Sequence, residues 1–222
     1  ETVLRNYIGA GRIFSQGNKA HLLKDKIELD SPWLHIDAWN WNILDKSREE
    51  QQRVLSDFDL IIVATGGSDV QRRFNTVFHE IELKCPIIFD WLDSEGKGQH
   101  AVVMSCKNKG CFECLFTKDG KALSGNKVSF ADGTEKIHRN GCNGSFITYG
   151  NDVLSRNTSM MLPLIQRTLL NGVRENYLVS IQNDFSSLET SLTMEPTIDK
   201  AFASEGCVIC GGISKLEQVE KV

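Results

Sequence analysis

Apolar and polar positions divide the chain into alternating helical and extended stretches. Ala20, Leu23 and Ile27 recur at helical spacing with charges between them, predicting a helix over 17–29. Ser31-Pro32 ends it, because the residue before a proline is pushed out of helical geometry. Leu34, Ile36 and Ala38 lie at alternate positions, predicting a strand over 33–41. Ser47 with Glu50 three residues on is a capping-box pattern, opening a short helix to about Leu55.

The run Leu60-Ile61-Ile62-Val63-Ala64 has no polar break, predicting a strand buried on both faces of a parallel sheet. A Gly66-Gly67 turn follows, and Val70, Phe74, Val77, Phe78 and Ile81 then mark one stripe of a helix. The apolar stretch 85–91 is the next strand, so 59–91 reads as a βαβ unit. Another strand is predicted over 100–105. Residues 107–140 are rich in Gly and Lys and read mostly as loop. Leu154, Met161, Ile165 and Leu169 share one face of a helix over 152–170, which Pro163 should kink. One or two strands are expected in 175–194. The class is α/β with a mainly parallel sheet flanked by helices.

Length and composition narrow the functions. A chain of 222 residues, 41% hydrophobic and 24% charged, can bury a core without staples. A net charge of -4 gives no basic surface for nucleic acid. No run approaches the roughly 18 apolar residues a membrane helix needs. Glu1-Thr2-Val3-Leu4-Arg5 lacks a secretion pattern and reads as the middle of a longer segment. A reducing, cytoplasmic setting is expected. There, seven cysteines suggest metal ligation plus a reactive thiol rather than disulfides.

Two Cys-x-x-Cys pairs, Cys111/Cys114 and Cys207/Cys210, carry the strongest signal. Zinc takes four thiolates tetrahedrally at about 2.3 Å, and each pair can supply half of that from a tight turn. Four thiolates close the coordination shell, so such a zinc would be structural. The competing explanations are a redox motif or chance spacing. Cys142 lies between glycines in Asn140-Gly141-Cys142-Asn143-Gly144. It could be an exposed nucleophile that accepts an acyl group, or an ordinary buried cysteine. Cys85 and Cys106 sit in or beside apolar strands and read as core fillers. Thr65-Gly66-Gly67-Ser68 leads a strand into a helix N-terminus, which suits phosphate but is equally explained by turn geometry. Arg5 and Lys19 alone read as solvated surface.

Taken in order, these pieces resemble the ThiF-type adenylation domain of ubiquitin-activating enzymes. Glu1 to Gly9 resembles the family's Asn-x-x-Arg stretch, with Thr2 where Asn is usual. Gly17-Asn18-Lys19-Ala20 resembles its Gly-Lys-x-Lys-Ala stretch, and Asp59 to Asn75 its strand and helix after the crossover. The cysteine pairs resemble its structural zinc site. Gln99-His100-Ala101, Gly110 to Leu115 and Gly141 to Gly150 look closest to a bacterial branch found in CBASS antiphage operons, where a ubiquitin-conjugating-like domain is fused ahead.

The resemblance implies ATP and Mg2+ as cofactors, with Arg5 and Lys19 on the triphosphate and Thr65, Gly66 and Gly67 at the nucleotide. Cys142 would form a thioester with the C-terminus of a ubiquitin-like protein or of a CD-NTase. It also implies a homodimer and a structural Zn2+ on the four cysteines. Two departures stand out. The family's Gly-rich nucleotide loop and acidic ribose ligand would lie before Glu1, so 1–222 is expected to be an adenylation domain lacking that segment. Many members also carry a magnesium-binding Asp where this chain has Gly66; Asp69 and Asp90 are candidate substitutes. Sulfur-carrier or small-peptide adenylation, and a zinc-stapled scaffold with weak catalysis, are the alternatives. A dinucleotide oxidoreductase would need a Gly-x-Gly-x-x-Gly, and the chain has none.

Overall fold

The computed structural model describes residues 18–131, 138–139, 145–146, 151–183 and 195–212. The chain falls into two compact units, 1–46 and 47–222.

In the first unit, helix α1 spans Lys19–Asp30, and the Asn18 side chain caps it by accepting from the Ala20 amide at 2.8 Å. Residues 33–41, predicted as a strand, form none. Their alternation has no sheet to face among the described residues. Trp33, Leu34, Trp39 and Trp41 stay between 41% and 76% exposed. Trp39 and Trp41 stack on each other instead, at 5.1 Å.

The second unit opens with α2 (Arg48–Leu55), where Ser47 and Glu50 make the reciprocal capping box read from the sequence. Strand β1 (Ile61–Val63), helix α3 (Ser68–Glu80) and strand β2 (Ile87–Leu92) follow, and β1 pairs parallel with β2. That is the expected βαβ unit. Only Val63 of β1 is buried, and Ile62 is 42% exposed, so this strand is not covered on both faces. Among the described residues it has a partner on one side only.

The rest of the sheet departs from the mainly parallel expectation. Strand β3 (Gly98–Met104) returns from β2 through a short turn at Asp93–Lys97, and so short a link can only join antiparallel neighbours. A 3-10 turn (Phe112–Phe116) and the two-residue strands β4 (Thr117–Lys118) and β5 (Lys121–Ala122) come next, all within the stretch read as loop. Its apolar side chains Phe112, Leu115 and Phe116 are buried. Strands β6 (His138–Arg139) and β7 (Ser145–Phe146) pair antiparallel. Helix α4 (Asn151–Asn171) continues past Pro163, which is exposed. Strand β8 (Tyr177–Gln182) pairs antiparallel with both β3 and β9 (Thr197–Asp199). The sheet is therefore mixed, in the order β1-β2-β3-β8-β9.

Each sheet face has its own cover. On one, Ile88, Ala101, Val103 and Val179 pack against Met160 and Met161 of α4. Val153, Met160, Met161 and Thr168 are buried while Leu169 is 54% exposed, so the inward stripe of α4 is rotated from the expected one. On the other face, Phe89 meets Phe78 of α3 and, at 4.7 Å, Phe112 of the 3-10 turn. Each fully buried phenylalanine contributes about 1.5–3 kcal/mol. Among the described residues no helix is long and apolar enough to cross a membrane.

Candidate functional site

Cys111, Cys114, Cys207 and Cys210 come together as the spacing suggested. All four sulfurs are buried and lie within 4.8 Å of one another. The Sγ atoms of Cys111 and Cys207 are 3.7 Å apart, and those of Cys114 and Cys210 are 3.4 Å apart. A tetrahedron of thiolates about 2.3 Å from zinc has edges of about 3.8 Å, so this donor set fits that ion. A disulfide would need sulfurs at about 2.05 Å. Both turns are tight. The Cys114 amide donates to the Cys111 carbonyl at 3.0 Å, and the Gly211 amide to the Cys207 carbonyl at 2.8 Å. A side chain at Gly211 would lie 2.4 Å from that same carbonyl, so glycine is required there.

Polar residues that the sequence did not single out brace this clasp. Glu113, between the first two cysteines, takes a two-pronged contact from Arg72 of α3 at 2.7 and 2.8 Å. That hydrogen bonding raises the Arg72 pKa further. The guanidinium also lies 4.9 Å over the Phe116 ring. Asn75, one turn along α3, accepts from the Phe112 amide at 3.2 Å. Buried Asn176 places its amide nitrogen 3.0–3.2 Å from the carbonyls of Ser105, Asn108 and Gly110, shaping the approach to Cys111. A charged residue inside a Cys-x-x-Cys turn was the one available hint, because its charge needs a partner once the turn is buried.

A second constellation lies at the C-terminal ends of β1 and β2. Thr65, Gly66 and Gly67 are exposed there and lead into α3. Gly66 has φ +71°, a conformation that favours glycine. Gly67 is the N-cap and offers no side-chain acceptor, so the first α3 amides lack a side-chain cap. Beneath the turn, buried Gln71 donates to the carbonyls of Val63 (3.2 Å) and Asp90 (2.8 Å), tying the two strand ends together.

The register puts Phe89 opposite Val63, so Asp90 comes at the next step, beside the start of the glycine turn. Its carboxylate accepts from the Asn157 amide of α4 at 2.9 and 3.1 Å. Burial pushes the Asp90 pKa up to about 6 against the pull of that hydrogen bond. Asn157 Oδ1 is buried with no donor. Asp69, the other acid considered from the sequence, is exposed in the first turn of α3.

Next along β2 and β3, buried His100 is held between Asp93 Oδ2 (3.0 Å) and Ser180 Oγ (2.8 Å), and stacked between Trp91 and Phe130. Asp93 also accepts from the Phe130 amide at 2.6 Å. Burial works to raise the Asp93 pKa, but the His100 and Phe130 contacts outweigh it and hold the carboxyl below its usual range. Ser, His and Asp in line resemble a hydrolytic triad. This one is closed: His100 is 0% exposed and Ser180 7%, so no substrate reaches the hydroxyl. It is a packing device.

The other sequence candidates stand apart. Lys19 begins α1 in the first unit, in a groove lined by Asn18, Trp39, Asn40 and Trp41. Arg5 and Cys142 lie outside the described residues; Cys142 falls between the paired strands β6 and β7. Cys85 and Cys106 are half-buried, and burial pushes the Cys106 thiol up to about 12, the opposite of an activated nucleophile.

Neither a family model nor a curated protein matches the chain's sequence. The fold is similar to that of E. coli MccB. One crystal structure of MccB superposes with a TM-score of 0.54 at 12% identity, covering 88% of this chain and 51% of that one. A second, of MccB with MccA-N7isoASN, gives 0.50 at 14% identity, covering 87% and 51%. The chain thus spans about half the length of MccB.

Proposed function

We propose that this chain is the adenylation part of an enzyme that activates a protein's C-terminal carboxylate with ATP. The supporting observation is the glycine turn and uncapped α3 N-terminus at the C-terminal ends of a parallel strand pair, in an MccB-like fold. Open α/β sheets bind ligands outside those strand ends, and bare helix amides suit phosphate.

A carboxylate oxygen would attack the α-phosphorus of ATP, the bond to pyrophosphate breaking as the acyl-adenylate forms. The Cys142 thiolate would then attack the acyl carbon, making a thioester and releasing AMP, its proton having passed to a base or to water. Thr65, Gly66 and Gly67 would receive the phosphates, and Arg5 and Lys19 would balance their charge. When bound, Mg2+ neutralises charge on the triphosphate. Zn2+ on Cys111, Cys114, Cys207 and Cys210 holds the fold and takes no part in the chemistry.

On the resemblance to the CBASS branch, the activated partner is a CD-NTase or a ubiquitin-like protein, passed to a fused ubiquitin-conjugating-like domain. The enzyme would work in antiphage defence, as a cytoplasmic homodimer. The MccB structure with MccA-N7isoASN favours a second reading, small-peptide activation by the same adenylation without a thioester.

Pyrophosphate exchange on the full-length protein, with the partner's C-terminal peptide, tests the core of this. Robust exchange is expected, and its absence would leave only a zinc-stapled scaffold. Cys142→Ala should keep exchange and lose the thioester. A thioester that survives the change removes Cys142 from its role, and an active enzyme that never forms one selects the small-peptide reading.

A further inference from the structure

The sheet has a second edge, opposite the glycine turn. Tyr177 begins β8 opposite Val103, and Met104 closes β3 opposite Ile87, the first residue of β2. The end of β3 and the start of β8 therefore lie at the edge where β2 begins, away from the strand ends that lead into Gly66 and α3. There the end of α4 and the link that follows it enclose a cavity of about 340 Å3 with Tyr177 and Lys200. We propose that this cavity is a docking site for an acidic stretch of a protein partner, whose carboxylates meet Arg167 and Arg174 while a neighbouring apolar residue covers Leu170 and Val173.

Charge is the first observation. The chain as a whole carries -4, yet Arg167, Arg174 and Lys200 line this cavity against a single acid, Glu175. Glu175 pairs with Lys200. Arg167 and Arg174 have no carboxylate partner among the described residues. A cation near the carbonyl end of a helix is favourable by itself, which accounts for Arg167 on α4. It does not account for a second guanidinium, from beyond the helix, lining the same cavity.

The setting is fixed in advance. Gly172 ends α4 with φ +64°, its amide donating to the Thr168 carbonyl at 2.9 Å. The Asn108 side-chain amide donates to the Arg174 carbonyl at 3.2 Å, and Asn176, two residues on, is bound to the carbonyls of Ser105 and Gly110. Tyr177 is half-buried; burial raises its pKa while Arg167 and Lys200 pull the other way, so the cations and the phenol share one site. Binding groups on a backbone held this way lose little freedom when a partner arrives.

Composition favours a protein partner over a free anion. Arginine and tyrosine are enriched where proteins bind each other, and tyrosine and two arginines meet here. Leu170, three residues after Arg167 and so on the same side of α4, is 82% exposed. A lone phosphate gains nothing from that leucine. A segment with an apolar residue beside its acids would cover it.

The probe is a short fluorescein-labelled peptide of glutamate and leucine, compared with an all-glutamate peptide of equal length. Fluorescence anisotropy measures their binding to the full-length protein at low and high salt. Arg167→Glu with Arg174→Glu should weaken the mixed peptide by about tenfold or more, and wild-type binding should fall with salt. Arg167→Gln with Arg174→Gln, which keeps the side chains long and polar, should lose part of the binding. Leu170→Ser should weaken the mixed peptide and leave the all-glutamate peptide alone. Lys118→Glu with Lys121→Glu makes the same charge change on β4 and β5, outside the cavity lining, and should bind like wild type. Melting temperatures show that each variant is folded.

Absence of wild-type binding, unchanged binding after either arginine change, or equal loss in the Lys118/Lys121 variant overturns the proposal. So does full displacement of the peptide by inorganic phosphate with an indifferent Leu170→Ser, which makes the cavity a small-anion site. Self-association of the free protein that the arginine reversal abolishes would give the site to a second copy and overturn it as well. None of these results depends on pyrophosphate exchange, so the docking site and the adenylation reading stand or fall separately.

Discussion

Gly98→Ala should destabilise the second unit strongly, although replacing a strand glycine by alanine ordinarily gains about 0.5–1 kcal/mol. Gly98 lies under the Asp93–His100–Phe130 assembly. A Cβ there would sit 2.5 Å from Asp93 Oδ2, 2.5 Å from His100 Nε2 and 2.8 Å from Phe130 Cδ2. Carbon–oxygen contacts settle at about 3.3–3.6 Å, so the carboxylate and the ring must each retreat by roughly 1 Å. The Asp93–His100 bond is 3.0 Å long and has no slack for that. Crowding alone costs about 1–3 kcal/mol, and leaving the buried Asp93 carboxylate without its His100 hydrogen bond about 1–3 more. The expected loss is about 3–5 kcal/mol, a large part of the roughly 5–15 kcal/mol that holds a domain folded. Urea denaturation measures it. The control is Gly98→Ala in an Asp93→Ala, His100→Ala background, where only Phe130 Cδ2 still obstructs and the added cost should fall to about 1 kcal/mol, the low end of crowding. A neutral Gly98→Ala, or one equally costly in both backgrounds, would refute this account.

Other outcomes follow from the same geometry. The purified protein should contain about one zinc per chain; chelation or Cys207→Ser should lower its melting temperature, since binding energy at a structural zinc is folding energy. Zinc-free protein with unchanged melting would remove the clasp's assigned role. Arg72→Met should cost about 2–3 kcal/mol by leaving the buried Glu113 carboxylate unpaired, and Arg72→Lys should recover only part, because it loses one prong and the stacking on Phe116. Denaturation midpoints of the two variants check this. Asp90, raised from 3.8 to about 6, binds its proton more tightly folded than unfolded. Its contribution is therefore most favourable below about pH 4 and is lost as pH rises through 6, on the order of 2–3 kcal/mol in metal-free protein. Asp90→Asn should flatten that part of the pH–stability curve and be more stable than wild type at pH 7; a less stable variant would mean that the carboxylate is a structural partner.

What the sequence revealed, it revealed through local rules. The Ser47 capping box and the helix predicted over 17–29 depend on neighbours within a few residues, the 59–91 unit on one continuous strand–helix–strand run, and all three form. The cysteine clasp was legible across a long gap because four identical soft ligands have few other uses. Strand direction was not legible. An apolar run does not state which way its neighbour runs, and the turn at Asp93–Lys97 decides it for β2 and β3. The 33–41 alternation misled because alternation needs a sheet to face. The polar core was hidden for a different reason. Gln71, His100 and Asn176 look like ordinary surface residues in the sequence, and only the fold shows each one closing a bond between distant segments.

The clasp and the glycine-turn edge meet in two adjacent residues of α3. Gln71 reaches under the sheet and ties β1 to β2, and Arg72 reaches away to Glu113 between the clasp cysteines. One helical step turns about 100°, so neighbouring positions can serve two different surfaces. The helix whose bare N-terminus faces the glycine turn is thus fixed from both sides, by the sheet and by the clasp. A metal bound at the clasp would set where the α3 amides point without performing any chemistry. Zinc removal should then weaken nucleotide binding before it unfolds the sheet, because the Arg72–Glu113 anchor loosens while Gln71 still holds the strands. Hydrogen exchange separates the two events: early loss of protection in α3 with β2 and β3 intact supports the brace, and simultaneous loss in all three would show that the clasp only holds the fold together.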